Sequence, residues 1–212
     1  MDPISQGVLG ASFAQAAAKN KGKIIAAAWF GALAGMAPDL DVVIQSSSDP
    51  LVFLEFHRQF THALIFIPLG ALLVTWPLFK LQVRFFRQYL SLRESYLFCL
   101  LGYATHGLLD ACTSYGTQLL WPFSDERFAW NNISIIDPLL TLPLLVLVTL
   151  AGYKRRRSFA IVACLWALSY LCLGLLQVDR AVAAGELVAA QRGHIPERIT
   201  VKPSFANLFL WK

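Results

Sequence analysis

Long apolar blocks separated by short polar loops dominate the pattern of this chain. Five of them have the character of spanning helices, because a helix that crosses a bilayer needs about 17–25 mainly apolar residues. These blocks cover residues 24–43, 61–79, 96–113, 138–153 and 158–178. The pattern therefore predicts an all-α, polytopic membrane helix bundle of five or six helices.

A weaker block at residues 3–18 accounts for the uncertainty between five and six helices. It is rich in alanine and glycine but also carries polar side chains, including Gln6 and Gln15. At 1.5 Å per residue such a helix covers only about 24 Å, less than a hydrocarbon core of about 30 Å. Its small residues favour close helix packing. We expect it to cross the membrane inside the bundle; the alternative is a helix that lies on the membrane surface.

Composition supports a membrane protein. Hydrophobic residues make up 57% of the chain and charged residues 15%, and the mean hydropathy is +0.55, whereas soluble domains have roughly 25% charged residues. The net charge of +5 sits in short clusters between apolar blocks, which is typical of loops that set membrane topology. We therefore expect the lipid bilayer, and no nucleic acid, as a partner. The four cysteines form no CxxC pair, so neither a disulfide framework nor a zinc ribbon is indicated.

The loops alternate in charge along the chain. Basic residues gather at residues 19–23, 80–93 and 154–157, whereas the other two loops are acidic. Because cytoplasmic loops carry the excess of lysine and arginine, the basic loops are predicted to be cytoplasmic and the acidic loops periplasmic. This assignment implies a multi-pass protein of the bacterial inner membrane.

The same topology divides the chain into two parts. A bundle covers residues 1–178, and a polar extracytoplasmic tail covers residues 179–212. Within the tail, residues 198–205 have some strand character. Its apolar last residues are typical of an interrupted domain rather than a finished one.

Histidine and aspartate residues gather at the outer edge of the predicted bundle. They come from four separate blocks, so adjacency in the sequence does not explain their convergence. Because ionisable residues within membrane segments usually serve a function, the group predicts a site at this edge. Its members are Asp39 and Asp41, His57 and His62, His106 and Asp110, and Asp137.

The residue types and their spacing point to a metal. His106 and Asp110 lie four positions apart and share a helix face, so the carboxylate can bind a metal beside the imidazole or orient it. Pro38 indicates that the chain leaves regular helix there, which lets both following aspartates turn inward. Mixed histidine and aspartate ligands suit a divalent ion such as zinc or manganese, one or two in number. The predicted ligands or near-ligands are Asp39, Asp41, His57, His62, His106 and Asp110.

Several of these residues also have structural interpretations. Asp137 precedes Pro138, which is typical of a helix N-cap, although it is also a candidate ligand, orienting group or base. His106 and Asp110 could form a structural pair between helices. For catalytic roles beside the metal, the sequence nominates Asp137, Asp41 and Gln6.

An ordered set of motifs resembles the family of LexA-binding, inner-membrane-associated, metal-dependent hydrolases. The motifs are MDP at residues 1–3, PDLD at 38–41, HRQFTH at 57–62, HGLLD at 106–110, TSYGT at 113–117, WPFS at 121–124 and IDP at 136–138. The resemblance covers nearly the whole chain and implies a membrane-bound, metal-dependent hydrolase without naming its substrate. It also implies a regulatory protein partner. Many members have a histidine where this chain has Gln6, so Gln6 either contacts substrate or leaves the metal one imidazole short.

These inferences converge on hydrolysis by a metal-activated water at the periplasmic edge of the bundle. That location favours an amphiphilic substrate, such as a lipid or a phosphoester-linked envelope component. Two alternatives stay open: a cation transporter or channel, and a regulatory membrane interaction protein. Transporter sites tend to lie near the bilayer midplane between repeats, whereas this cluster is predicted at one edge and no repeat is visible.

The predicted topology can be tested with reporter fusions. We expect fusions at Arg87 and Arg156 to report a cytoplasmic location, and fusions at Asp49 and Asp125 to report the periplasm, because positive loops are retained inside. A periplasmic signal at Arg156 would contradict the assignment of the site to the outer edge.

Overall fold

The computed structural model describes residues 1–49, 51–86 and 89–212. Arg87, which belongs to one basic loop, lies outside the described residues. Within these ranges the chain forms seven α-helices and only isolated β-bridges, which confirms the all-α prediction. The helices are α1 (Pro3–Ala17), α2 (Ile24–Met36), α3 (Leu51–Phe56), α4 (Ile67–Phe85), α5 (Leu92–Ala111), α6 (Pro138–Lys154) and α7 (Arg157–Gln191).

Three of the apolar stretches have the length that a membrane requires. Among the described residues, three stretches are long and apolar enough to cross a bilayer: Lys21–Val43, Leu64–Phe85 and Arg157–Gln191. The helix α6 is shorter but also apolar. On α4, Leu73 and Trp76 are 60% and 58% exposed, a surface that suits lipid tails rather than water.

The first helix lies inside the bundle and not on its surface. Helix α1 contacts α2, α5, α6 and α7, and ten of its 15 residues are buried. Its polar side chains find partners within the protein: Ser12 donates to the carbonyl of Leu9 at 2.7 Å, and Gln15 donates to that of Val148 at 3.3 Å. Satisfying polar groups internally is necessary where no water reaches them.

Glycines bring α1, α2 and α5 to backbone contact. A Cβ atom added to Gly31 would overlap the carbonyl oxygen of Gly10, and one added to Gly102 would overlap the carbonyl oxygen of Gly31. Three helices therefore meet at a point that only glycine permits, as small residues allow in membrane bundles.

An ion pair identifies the end of the bundle where α2 and α5 begin. Lys23 lies 2.7 Å from a carboxylate oxygen of Glu94, and this hydrogen bond lowers the pKa of Glu94. Ser91 and Glu94 form a capping box at the start of α5. Since α2 and α5 start at the same end, they also finish together at the opposite end, where Asp39, His106 and Asp110 lie.

The C-terminal part of the chain differs from the predicted boundary. Helix α7 continues to Gln191, beyond the predicted end of its apolar block at residue 178. The expected strand character appears only as an isolated bridge between Pro203 and Trp211. Leu208 is fully buried in the same cluster as Met1, so the end of the tail packs against the bundle.

The glycine contact predicts that two alanine substitutions will differ strongly in their effect on the free energy of unfolding. We expect Gly31→Ala to destabilise the protein by at least roughly 1–3 kcal/mol, because its methyl group would be forced against the backbone of α1. Gly152→Ala is the control, since the nearest atoms lie 3.8 Å from its added Cβ. Thermal unfolding in detergent measures both, and equal melting temperatures would contradict the close contact.

Candidate metal centre

The chain leaves α-helical geometry immediately before the first two aspartates. Helix α2 ends at Met36, and Ala37–Val43 continues as a 3-10 helix with Pro38 in its first turn. This confirms the expectation that Pro38 marks a change of backbone. The tighter helix turns Asp39 and Asp41 toward the bundle interior, in different directions.

Four side chains from three parts of the fold face one another. The 3-10 helix after α2 supplies Asp39, a 3-10 turn before α4 supplies His62, and the last turns of α5 supply His106 and Asp110. One ligand atom from each lies within 4.8 Å of the other three. Three of the four side chains are completely buried, while that of Asp39 is 23% exposed.

The separations within this group of four are close to those around a single metal ion. The Nε2 atoms of His62 and His106 lie 2.9 Å apart, and Oδ1 of Asp39 lies 3.6 and 3.3 Å from them. Oδ2 of Asp110 lies 3.5 and 4.0 Å from the same nitrogens. Metal–ligand bonds of about 2.0–2.1 Å in a tetrahedron separate neighbouring ligands by about 3.3 Å.

The donor chemistry also fits a divalent cation. Oδ2 of Asp110 is buried and accepts no hydrogen bond from the described part of the chain. A buried carboxylate oxygen needs cations or donors to offset its lost hydration, and the cation that the protein itself places nearby is Arg58, whose Nε lies 3.1 Å away. Two imidazole nitrogens and two carboxylates are a ligand set used for zinc and manganese. The residues present therefore fit one divalent ion.

Hydrogen bonds at the Nδ1 atoms of His62 and His106 orient both imidazole rings. Nδ1 of His106 donates to the carbonyl of Gly35 at 2.5 Å, and Nε2 is directed at the group of four. Nδ1 of His62 donates to the hydroxyl of Thr61 at 2.9 Å, and that hydroxyl donates to Asp41 at 3.0 Å. Metal-binding histidines characteristically donate their second ring N–H in this way.

The structure separates Asp41 and His57 from the four facing side chains, although the sequence grouped them as ligands. Asp41 accepts hydrogen bonds from His57 at 2.8 Å and from the backbone N–H of Arg58 at 2.9 Å. Donors from residues 57–61 occupy both oxygens of Asp41. Asp41 therefore lies behind His62 and is not one of the four facing side chains. His57 lies further out still and stacks on Phe53.

Gln6 contacts the group through Asp110. Its amide Nε2 donates to Oδ1 of Asp110 at 2.9 Å and to the backbone carbonyl of His106 at 3.3 Å. The amino group of Met1 contacts the same Asp110 oxygen. The buried Oε1 of Gln6 accepts no hydrogen bond within the described ranges. Gln6 therefore holds the Asp110 carboxylate from the side opposite His62.

Asp137 has the capping geometry. Its carboxylate accepts from the backbone N–H of Leu139 at 3.1 Å and from the hydroxyl of Tyr170 at 2.8 Å. In the part of the chain that the structure describes, none of the four facing side chains is among its hydrogen-bond partners. Tyr170 lies in the middle of the apolar helix α7, so no sequence pattern pointed to this contact.

Arg58 is a site residue that residue-by-residue reasoning did not single out. Its Nε lies 3.1 Å from Oδ2 of Asp110, and its guanidinium covers the ring of Tyr115 at 5.0 Å. Its backbone has a φ of 61°, a left-handed conformation that is uncommon outside glycine and concentrates at functional sites. The sequence feature that could have identified Arg58 is its place in the HRQFTH motif, between His57 and His62.

The fold and the site together define a class: a helical membrane protein with a buried His/Asp group at one end of its bundle. The chain belongs to the YdjM inner membrane protein family, whose model matches residues 1–181. This confirms the inner-membrane part of the resemblance and the expected inner-membrane location.

Two relatives align with about half of the chain. Inner membrane protein YbcI of Escherichia coli (strain K12) is 34% identical over 109 residues, which cover 50% of this chain and 60% of YbcI. The uncharacterized protein YfhP of Bacillus subtilis (strain 168) is 29% identical over 109 residues, which cover 51% of this chain and 32% of YfhP. The chain thus aligns with less than two thirds of either relative. No solved structure matches it.

The geometry predicts how single substitutions affect metal content. We expect purified protein to carry a divalent transition metal, and Asp39→Asn and His106→Ala to lose most of it, because each removes a facing ligand atom. Asp41→Asn should weaken binding by about 10–100-fold, the usual effect of disturbing a group that orients a ligand. Elemental analysis after dialysis against metal buffers measures all three.

His194→Ala serves as the matched histidine control, since His194 is exposed in the tail. Equal trace metal in the wild type and in every variant would contradict a metal site. The 2.9 Å separation of the imidazoles would then represent a hydrogen bond between them.

Proposed function

We propose that this protein is a membrane-bound, metal-dependent hydrolase whose site opens at the periplasmic edge of the bundle. The observation that carries the proposal is the group of four facing side chains, Asp39, His62, His106 and Asp110, with ligand atoms within 4.8 Å of one another. A bound divalent ion lowers the pKa of a water molecule and polarises the bond to be cleaved.

The surrounding residues support this chemistry by fixing the ligands. Thr61 and Asp41 orient His62, the carbonyl of Gly35 orients His106, and Gln6 holds Asp110. Asp41 and Gln6 are thus positioning residues in this proposal, and Asp137 stabilises the start of α6. Because only Asp39 among the four is partly exposed, water and substrate approach from its side.

The periplasmic orientation rests on the distribution of basic residues. The loops before α2, before α5 and before α7 contain the basic clusters. Lys23, just before α2, pairs with Glu94 in the first turn of α5 at the end opposite the site. With the positive loops in the cytoplasm, the group of four faces the periplasm. A site at that depth suits an amphiphilic ester or phosphoester, whose polar part reaches the site while its apolar part stays in lipid.

The position of the site favours hydrolysis over cation transport. Transport sites tend to lie near the bilayer midplane, whereas Asp39, His106 and Asp110 lie at the ends of α2 and α5. Among divalent ions, zinc is the first candidate for two imidazoles and two carboxylates, and manganese is the second.

A hydrolysis screen tests the proposal. Protein in detergent and in nanodiscs is given carboxylic-ester and phosphoester lipids, before and after chelation and with zinc or manganese restored. We expect turnover that disappears with chelation and returns with metal, and a loss in Asp41→Asn of about 10–100-fold, with a larger loss in Asp39→Asn. His194→Ala should retain wild-type turnover. Fully metal-loaded protein that cleaves neither substrate class would contradict the proposal.

A further inference from the structure

A polar cleft adjoins the group of four on the outer side of the bundle. It has a volume of about 580 Å³ and is lined by Phe53, His57, Arg58, Tyr115, Gly116 and Arg127. Two of its lining residues connect directly to the site. Arg58 approaches Oδ2 of Asp110 at 3.1 Å, and His57 is hydrogen-bonded to Asp41 at 2.8 Å.

The lining of this cleft is cationic. Two guanidinium groups and an imidazole contribute to it, and none of the described residues that line it carries a carboxylate. Two other clefts among the described residues differ, because apolar side chains dominate their linings. Focused positive charge beside a low-dielectric bundle attracts anions.

Contacts with the protein hold both arginines in place. Arg58 donates to the hydroxyl of Thr113 at 3.4 Å and covers the ring of Tyr115. Arg127 donates to the backbone carbonyls of His57 at 3.2 Å and of Glu55 at 3.3 Å. Groups fixed in advance bind a ligand without the cost of ordering flexible side chains.

We propose that this cleft binds a phosphate group of the substrate, and that Arg58 places this group beside Asp110. The proposal rests on the proposed function and names the part of the substrate that the site recognises. Guanidinium groups present planar N–H donors that match phosphate oxygens. A phosphate has enough oxygens to meet more than one cation, and both Arg58 and Arg127 line this cleft. Arg58 also borders Asp110, so the anion lies next to the metal ligands.

Binding of inorganic phosphate to the full chain tests this inference without measuring turnover. The wild type, Arg58→Lys, Arg127→Gln and the control Arg93→Gln are titrated in detergent, metal-free and metal-loaded, by calorimetry. Arg93 is exposed at the start of α5, at the opposite end of the bundle. We expect the two cleft variants to bind phosphate about tenfold more weakly, the effect of losing one charge-assisted hydrogen bond. Arg93→Gln should bind like the wild type.

Comparison of preparations identifies the source of the phosphate. Repeating the titration in phospholipid nanodiscs should lower the apparent phosphate affinity if a lipid headgroup occupies the cleft, because the headgroup competes. An unchanged affinity would assign the cleft to a soluble phosphoester. Both results require the arginine dependence and therefore support the site.

The inference fails if both cleft variants bind phosphate like Arg93→Gln, or if binding requires the metal and ignores both arginines. Metal content measured on the same samples separates this failure from that of the proposed function. Phosphate binding that depends on the arginines and persists in metal-free protein supports the cleft even where no hydrolysis is found. If Arg58→Lys lowers thermal stability but leaves phosphate affinity unchanged, the ion pair between Arg58 and Asp110 has only a structural role. That result would overturn the proposal.

Discussion

Burial of charge at one end of a membrane bundle is the constraint on which the rest of this structure depends. Asp41, His62, His106 and Asp110 have completely buried side chains, and a buried charge without a partner is too costly to persist. The neighbouring backbone and polar side chains are arranged to meet this demand. A carbonyl faces His106, a hydroxyl links His62 to Asp41, and an amide holds Asp110. Oδ2 of Asp110 accepts no hydrogen bond within the described residues, and Nε of Arg58 lies 3.1 Å from it.

The glycine contacts between helices also position these polar partners. A Cβ on Gly35 would meet the backbone oxygen of Gln6 at 2.8 Å and that of Gly102 at 3.4 Å, so α1, α2 and α5 converge around Gly35. The carbonyl of the same residue accepts the hydrogen bond from His106. Close packing and ligand orientation thus depend on one stretch of backbone. A larger residue at this position would separate the helices and at the same time break the hydrogen bond that orients the imidazole of His106.

Hydropathy predicts the helices well, because each apolar block must cover the same membrane thickness. It misses the extension of α7, where charged residues such as Asp179 and Arg180 end the apolar pattern. The helix continues because the following residues are rich in alanine, which has the highest helix propensity. The convergence of histidine and aspartate was also predictable, since charge is rare in apolar segments. The distinct roles of Asp39 and Asp41 were not, because they are set by donors from residues 57–61, which are remote in sequence.

The polar and apolar clefts of the described residues differ in their relation to the group of four. The groove between α1, α5 and α7 has a volume of about 440 Å³ and is lined mostly by apolar residues such as Phe13, Leu108 and Leu168. None of the four facing side chains is among its lining residues. Asp39 is the partly exposed member of the group, and His57 is also only partly buried. Under the proposed function, a polar group would pass more easily through the cationic cleft beside His57 than through lipid, while any acyl chain of the substrate would remain in the bilayer.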